Sequence, residues 1–355
     1  MNLEANVLVT TAGTIVAQGI MKSLKLANKS PTAKIRYKIF TTDMSPEAAG
    51  LYRGDVGFLV PPIVSSGYVE SIIKICKAES IKAVYVGADE ELLIMANARE
   101  EIQNRTGAVV ISNPPEVIST CVDKWKTFQF LRQNNLPCPD SALPEDADSF
   151  ASICGFPAIV KPREGHGSLH VYKVKNKEEL NLAISAIQKS GWRPIIQELI
   201  PGEDSEFTTG VTVDFRRNSV MSSIAMRRIL ESGQTYKAFI DDFKEVRSTA
   251  EEASLKLGAR GPINIQGRFH DGKLKIFEIN PRFSASTPMR ATAGVNEADI
   301  IFRNSVLHEE IKVDDYQHLV CLRYWNEVYV PLSTYSKAAK FGRIDQPDSF
   351  IPEYF

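Results

Sequence analysis

Asn264-Ile265-Gln266-Gly267-Arg268-Phe269-His270-Asp271-Gly272-Lys273-Leu274-Lys275-Ile276-Phe277-Glu278-Ile279-Asn280-Pro281-Arg282 reads as two strands folded back on each other at Asp271-Gly272, a dipeptide suited to tight hairpin turns. Residues two apart on a strand share a face, so Glu278 and Asn280 point one way while Phe277 and Ile279 point into the opposite layer. A carboxylate and an amide oxygen on one face suit a hard cation such as Mg2+. That ion takes few carboxylates from protein and completes its shell with phosphate and water. Glu278 is placed to bridge two such ions, with Asn280 serving one of them. Whether Gln266 joins depends on register. A two-residue loop at 271–272 pairs Gln266 with Phe277, on the wrong face, whereas an odd-numbered loop with a bulge pairs it with Glu278. Metal ligation by Gln266 therefore predicts the second kind. Arg282 lies just past Pro281, which stops the ladder, and a guanidinium beside a metal site suits a phosphoryl group in transfer.

Upstream, a helix is expected over 123–134 with Asp123 as its N-cap. Lys124 at its start is unfavourable for the helix dipole unless an anion lies nearby. Ala158-Ile159-Val160-Lys161 reads as a strand running into Pro162-Arg163-Glu164-Gly165-His166-Gly167-Ser168. The glycines Gly165 and Gly167, the Ser168 hydroxyl and free backbone amides suit a flexible cover over phosphates, although the spacing is not that of a Walker loop. In Ile195-Ile196-Gln197-Glu198-Leu199-Ile200-Pro201-Gly202, the extended Glu198-Leu199-Ile200 can offer a backbone carbonyl and amide to an adenine edge. Apolar neighbours would sandwich the ring, and Glu206 can accept from ribose hydroxyls. Taken alone, each lysine reads better as a surface residue and Glu278 as part of a solvated hairpin, the glycine loop is a weak signal, and the 195–207 run has an ordinary strand–turn–strand as its alternative; the set together carries the chemistry.

Before these motifs the chain alternates strand and helix. Strands are expected at 6–10, 37–41, 83–87 and 108–111, with helices at 15–21 and 69–76 and an acidic helix start at Asp89, which implies a parallel sheet with helices on its faces. The first turn, Thr11-Ala12-Gly13-Thr14-Ile15-Val16, lacks two of the three glycines of a dinucleotide-binding turn, so a scaffold or substrate-binding role is favoured. The texture changes after Asn113-Pro114-Pro115. The chain has 355 residues with 42 Lys+Arg against 43 Asp+Glu, a balance that offers no basic surplus for nucleic acid. It has no apolar run long enough for a membrane span and no signal-peptide pattern at its start. Five scattered cysteines supply neither a zinc site nor a disulfide framework. A cytoplasmic location is the expectation.

These motifs resemble, in their order, those of the ATP-grasp superfamily, and most of all one ATP-binding half of the carbamoyl-phosphate synthase large chain and its shorter carboxylate–amine ligase relatives. The likeness spans roughly residues 115–295. It implies an α/β fold that turns α+β in its C-terminal part: an N-terminal parallel α/β domain (1–113), two ATP-grasp lobes (114–192 and 193–311), and an extension (312–355) packing on the ATP-grasp domain. Carried over by position, Lys124, Lys161, Gly165, Gly167 and Ser168 would contact ATP phosphates. Gln197, Glu198, Leu199 and Ile200 would line the adenine, Glu206 would meet the ribose, and Gln266, Glu278 and Asn280 would hold Mg2+, with Mn2+ as an alternative. Arg282 would steady the transferred phosphate. The implied activity is an ATP-dependent ligase that activates a carboxylate as an acylphosphate and joins it to an amine. Arg290 is a candidate for gripping the incoming carboxylate. The small-molecule carboxylate and amine are the expected partners, with a homodimer left open. Two other readings stand beside it: a carboxyphosphate- or carbamoyl-phosphate-forming enzyme, although only one ATP-grasp unit is present, and an ATP-binding regulatory module without turnover.

Overall fold

The β-branched run at the start of the chain forms β1 (Leu3–Val9), the centre of a parallel sheet completed by β2 (Ile35–Asp43), β3 (Val56–Leu59), β4 (Ala83–Tyr85) and β5 (Val109–Ile111) in the order β3-β2-β1-β4-β5. The computed structural model describes residues 3–165, 167, 169–202, 205–324 and 326–353. Helices α1 (Ile15–Lys29), α2 (Tyr68–Ala78) and α3 (Leu92–Thr106) cover the faces of this sheet. The expected helix start at Asp89 is a 3-10 turn over Asp89–Glu91, and α3 begins only at Leu92. β3 lies in a stretch read from sequence as connection; Pro61-Pro62 and a short apolar run hide it.

After α4 (Pro115–Val122), α5 (Lys124–Gln133) begins with the expected cap: Asp123 accepts from the Trp125 amide at 2.9 Å. A small lobe follows, built on β6 (Ser141–Ala142), β7 (Ala158–Pro162), β8 (Tyr172–Val174) and β9 (Pro194–Glu198) in the order β6-β9-β7-β8. Its helices are α6 (Ala147–Cys154) and α7 (Lys177–Lys189), whose Leu180, Ala183, Ile184 and Ile187 close a separate core over β7.

The larger lobe is an antiparallel sheet of β10 (Glu206–Val213), β11 (Val220–Glu231), β12 (Gln234–Ile240), β13 (Gly261–His270) and β14 (Lys273–Asn280). Helix α8 (Lys244–Lys256) buries one face through Val246, Ala250 and Ala253. Beyond it come α9 (Thr287–Thr292), α10 (Glu297–Ser305), β15 (Leu319–Leu322), α11 (Leu332–Phe341) and β16 (Arg343–Asp345). The 312–355 segment does more than pack on the two lobes. β15 adds to β12 as an edge of the larger sheet, whereas β16 pairs antiparallel with β3 of the N-terminal sheet.

One core joins the N-terminal sheet to the larger lobe. The Tyr37 and Phe302 rings meet edge-on at 5.1 Å, Tyr85 and Phe283 lie 5.8 Å apart, and the Tyr85 hydroxyl donates to the Ala298 carbonyl at 2.8 Å. Apolar burial of this kind fixes the N-terminal domain against the larger lobe. Among the described residues, no helix is long and apolar enough to cross a membrane.

Candidate active site

A cleft of about 740 Å3 opens between the two lobes and the N-terminal domain. Its floor is the hairpin of β13 and β14. The turn at 271–272 is a two-residue one, with Asp271 and Gly272 both at positive φ (48° and 72°) and His270 opposite Lys273, the geometry of a type I′ turn. The expected odd-numbered loop is therefore absent. The register is corrected higher up, by a bulge between Gln266 and Gly267: Gly267 pairs with Ile276, and Gln266 with Glu278. Phe277 is the extra residue. Ile276 and Ile279 enter the core on the α8 side, while Phe277, Glu278 and Asn280 all line the cleft. The expectation that Phe277 faces the opposite layer fails because the bulge interrupts the alternation.

Glu278 and Asn280 lie together, the Asn280 amide donating to Glu278 Oε1 at 3.3 Å, and Gln266 sits opposite Glu278. Burial works to raise the Glu278 pKa, but Lys124, Lys161, Arg228 and Arg282 outweigh it and hold the carboxyl below the usual range. The donor set is all oxygen with a single carboxylate. Such a set suits a hard ion that completes its shell with phosphate oxygens and water; among the described residues no group of three or more His, Cys, Asp or Glu comes together. Gln266 already accepts from Arg228 at 2.8 Å, a residue that sequence reasoning missed.

Lys161, the next-to-last residue of β7, has its ammonium buried, donating to Gln197 Oε1 at 2.8 Å and lying 5.2 Å from the centre of the Phe277 ring. Gln197 is turned by its own donation to Ser141 at 3.0 Å, so it aims Lys161. Burial, followed by the Lys124 charge, lowers the Lys161 pKa to about 7 against the pull of Glu278 and Glu206. Lys124, the first residue of α5, donates to the Gly165 carbonyl at 2.7 Å and ties the glycine loop to the helix start. Arg163 adds a pair of hydrogen bonds to Asp123 at 2.5 and 3.1 Å. Gly165 and Gly167 line the cleft at positive φ (139° and 69°); Ser168 and His166 lie outside the described residues.

Glu198 ends β9, and Leu199 and Ile200 follow it along the cleft wall. The Glu198 amide donates to the Asp140 carbonyl at 2.8 Å, and the Ile200 carbonyl accepts from Arg268 at 3.2 Å. Glu206 sits between two guanidiniums, accepting from Arg228 at 2.9 Å and Arg268 at 3.1 Å.

Arg282 is held by a residue of the N-terminal domain: Nε and Nη2 donate to the Asp89 carboxylate at 2.8 and 2.9 Å. Arg290 is not brought to the cleft. It lies further along the same face of the larger sheet, 1% exposed, in a two-pronged pair with Glu297 at 2.9 and 3.0 Å. Its Nη2 also donates to Ser284 Oγ at 3.1 Å, behind the cleft lining, while its Nη1 is buried without a hydrogen-bond partner among the described residues. The far end of the cleft is built instead from the start of α1, the Gly87–Glu90 loop, the β11–β12 turn and Ser284–Ser286.

Residues 121–286 match the ATP-grasp domain family, and residues 7–111 match the PylC-like N-terminal domain family. The chain is 28% identical over 255 residues to the carbamoyl phosphate synthase large chain of Helicobacter pylori, an alignment covering 66% of this chain and 23% of the relative. The corresponding protein of Thermoanaerobacter pseudethanolicus is 28% identical over 202 residues, 52% of this chain and 18% of that one. The chain thus spans less than a quarter of the length of these relatives. Among solved structures, N5-carboxyaminoimidazole ribonucleotide synthetase from Thermus thermophilus superposes with a TM-score of 0.64 at 19% identity, covering 86% of this chain and 79% of that one. The L-amino acid ligase from Bacillus licheniformis superposes with a TM-score of 0.61 at 16% identity, covering 86% and 75%. At such identities these superpositions speak for the fold. Sequence match and fold agree: residues 121–286 are an ATP-grasp domain, and residues 7–111 ahead of them a PylC-like N-terminal domain.

Proposed function

We propose that the protein is an ATP- and Mg2+-dependent ligase that activates a small carboxylate as an acylphosphate and joins it to an amine. The observation that carries this reading is the convergence of Gln266, Glu278 and Asn280 with Lys161, Lys124 and Arg282 around one cleft, from stretches more than a hundred residues apart in the chain. In this reading Gln266, Glu278 and Asn280 would hold a divalent ion, whose charge would offset that of the nucleotide phosphates. Lys161 and Lys124 orient the phosphates beneath the glycine loop, and the adenine lies along 198–200 with Phe277 and the apolar wall around it. A substrate carboxylate oxygen attacks the γ-phosphorus. The new O–P bond forms as the bond to ADP breaks, and Arg282 meets the charge on the transferred group. The amine then attacks the acyl carbon, loses a proton and expels inorganic phosphate. Phosphoryl transfer needs positioning and charge neutralisation more than a nucleophilic side chain, and these residues supply that. Both small molecules would occupy the far end, against the start of α1 and Ser284–Ser286.

The test is an ADP-release screen over pairs of amino acids and small carboxylates, with products identified by mass. An amide product that depends on both partners supports the reading. A carbamoyl product from bicarbonate would replace it with carboxyphosphate chemistry, and ATP binding without ADP release on any pair would replace it with a regulatory module.

A further inference from the structure

We propose that Asp89 is a positioning residue: from the N-terminal domain it sets the orientation of Arg282 and, through Arg282, of the metal-ligand candidate Asn280. The inference rests on the ligase reading for the role of Arg282 and goes beyond it in naming what holds that residue in place.

The contact chain is continuous. Arg282 donates to Asp89 through Nε and Nη2 at 2.8 and 2.9 Å, to Asn280 Oδ1 through Nη2 at 3.2 Å, and to the Phe283 carbonyl through Nη1 at 3.0 Å. Asn280 in turn donates to Glu278. A guanidinium offers a fixed fork of donors; with these bonds made, one N–H of Nη1 remains for an incoming oxygen. The plane of the fork is set by the two-pronged grip of Asp89, because the other partners each hold a single edge. Burial works against the charge of Arg282, and the Asp89 carboxylate, joined by Glu278 and Glu90, more than restores it.

Asp89 is itself held firmly. It opens the 3-10 turn Asp89–Glu91. Two residues on, the buried Glu91 carboxylate accepts from Thr10 at 2.7 Å, from Thr11 at 3.1 Å and from the Tyr68 hydroxyl. Before it, Gly87 packs so tightly on β1 that a Cβ there would lie 2.1 Å from the Thr10 carbonyl. The loop is thus pinned to the N-terminal sheet on both sides of Asp89, and an anchored carboxylate fixes what it grips. A change of seating of the N-terminal domain is transmitted to the phosphate end of the cleft through this residue.

The experiment compares Asp89→Asn and Asp89→Glu with Glu101→Gln, an exposed carboxylate on α3 remote from the cleft. Two readouts are taken on the full chain: steady-state ADP release, and Mn2+ affinity in the presence of ADP by electron paramagnetic resonance. Asp89→Asn is expected to lower kcat about 10- to 100-fold with the ATP KM within about 2-fold, and to weaken Mn2+ binding about 3- to 10-fold, in the range of residues that orient a metal ligand. Asp89→Glu recovers part of both losses and Glu101→Gln neither gains nor loses. Wild-type Mn2+ affinity and kcat in Asp89→Asn overturn the proposal, as does a rise in kcat, which would make the ion pair a competitor of the substrate. Should one variant fail to fold, the other decides by the same two readouts. A wild-type protein that binds Mn2+ and ADP but releases no ADP on any substrate pair removes the ligase reading, while the Mn2+ measurement still decides the role of Asp89.

Discussion

At the scale of single residues, the chemistry turns on charges buried before any ligand arrives. Lys161 has its pKa lowered to about 7, first by burial and then by Lys124. Its ordinary value is about 10.4, so the charged form is penalised in full below pH 7 and the penalty fades as pH rises towards 10: this residue makes the free protein gain stability with pH across that window. An anionic polyphosphate restores the charge, so nucleotide binding above pH 7 takes up a proton, and affinity falls as pH climbs from 7 to 9. Calorimetric titration of ADP at pH 8.5 in two buffers of different ionisation enthalpy should report uptake approaching one proton, and Lys161→Met should abolish it. Heats independent of the buffer would refute the assignment. Glu278 sits among four cations, and Glu278→Gln keeps its shape while removing its charge. Mg2+-dependent ADP release should fall at least about 100-fold, read as a Mg2+ titration of rate, with the fold intact by circular dichroism. Glu278, Asn280 and Lys161 were legible in the sequence because strand parity and motif order place them. Arg228 and Asp89 were not, because their partners Gln266 and Arg282 lie 38 and 193 residues away, and nothing local marks either one.

At the scale of elements, the β13–β14 hairpin shows how one extra residue sets a site. Without Phe277 the strand would run in simple alternation, with Gln266 still opposite Glu278. The bulge therefore adds a ring to the cleft without disturbing the oxygen ligands around it. Phe277→Ala should weaken ADP about 3- to 10-fold through the lost apolar and cation–π contact, with Mn2+ affinity in saturating ADP unchanged; an equal loss of both would mean that the ring also holds the ligands. The bulge is invisible in sequence because the loop length and the ladder irregularity trade off, and only their sum was constrained by Gln266. β11 and β12 were hidden for another reason. β11 carries Met221-Ser222-Ser223 and Arg227-Arg228 and is buried almost continuously over 221–226, so neither β-propensity nor alternation announces it. Further along the same sheet, Gly210 of β10 lies under the Arg290–Glu297 pair, and a Cβ there would come 1.9 Å from Glu297 Oε1 and 2.4 Å from Arg290 Nε. Gly210→Ala should cost about 2–4 kcal/mol in chemical unfolding by overpacking a buried pair. Arg290→Ala should cost about 3–5 kcal/mol by stranding the Glu297 charge, with the substrate KM of the folded fraction unchanged. A raised KM at wild-type stability would return Arg290 to the substrate.

At the scale of the whole molecule, the C-terminal segment joins two sheets that belong to different units. β15 borders the larger ATP-grasp sheet and β16 borders the N-terminal sheet. Between them, Ala338 and Ile344 close a small core with Ala12, Ala48, Leu51 and Tyr52. Ala12 immediately precedes Gly13 and Thr14, which line the end of the cleft that the proposed function gives to the small molecules, whereas the end lined by β7, β9, β13 and β14, proposed for the phosphates, takes no described residue beyond 286 into its lining. Removing residues 331–355 should therefore separate the two ends of the site. The β3 edge would be uncovered, and an unpaired edge invites association, so light scattering should rise with protein concentration and the melting temperature should fall. ADP affinity should stay within about 2-fold of the full chain, because its contacts lie elsewhere. The KM for the acid or amine partner should rise about 3- to 10-fold as the turn at 11–14 loses its support. The same truncation with Ala12→Ser should add little further, since that support is already gone. Loss of ADP binding in the truncated chain would show instead that the segment holds the two lobes together, and that the cleft depends on it as a whole.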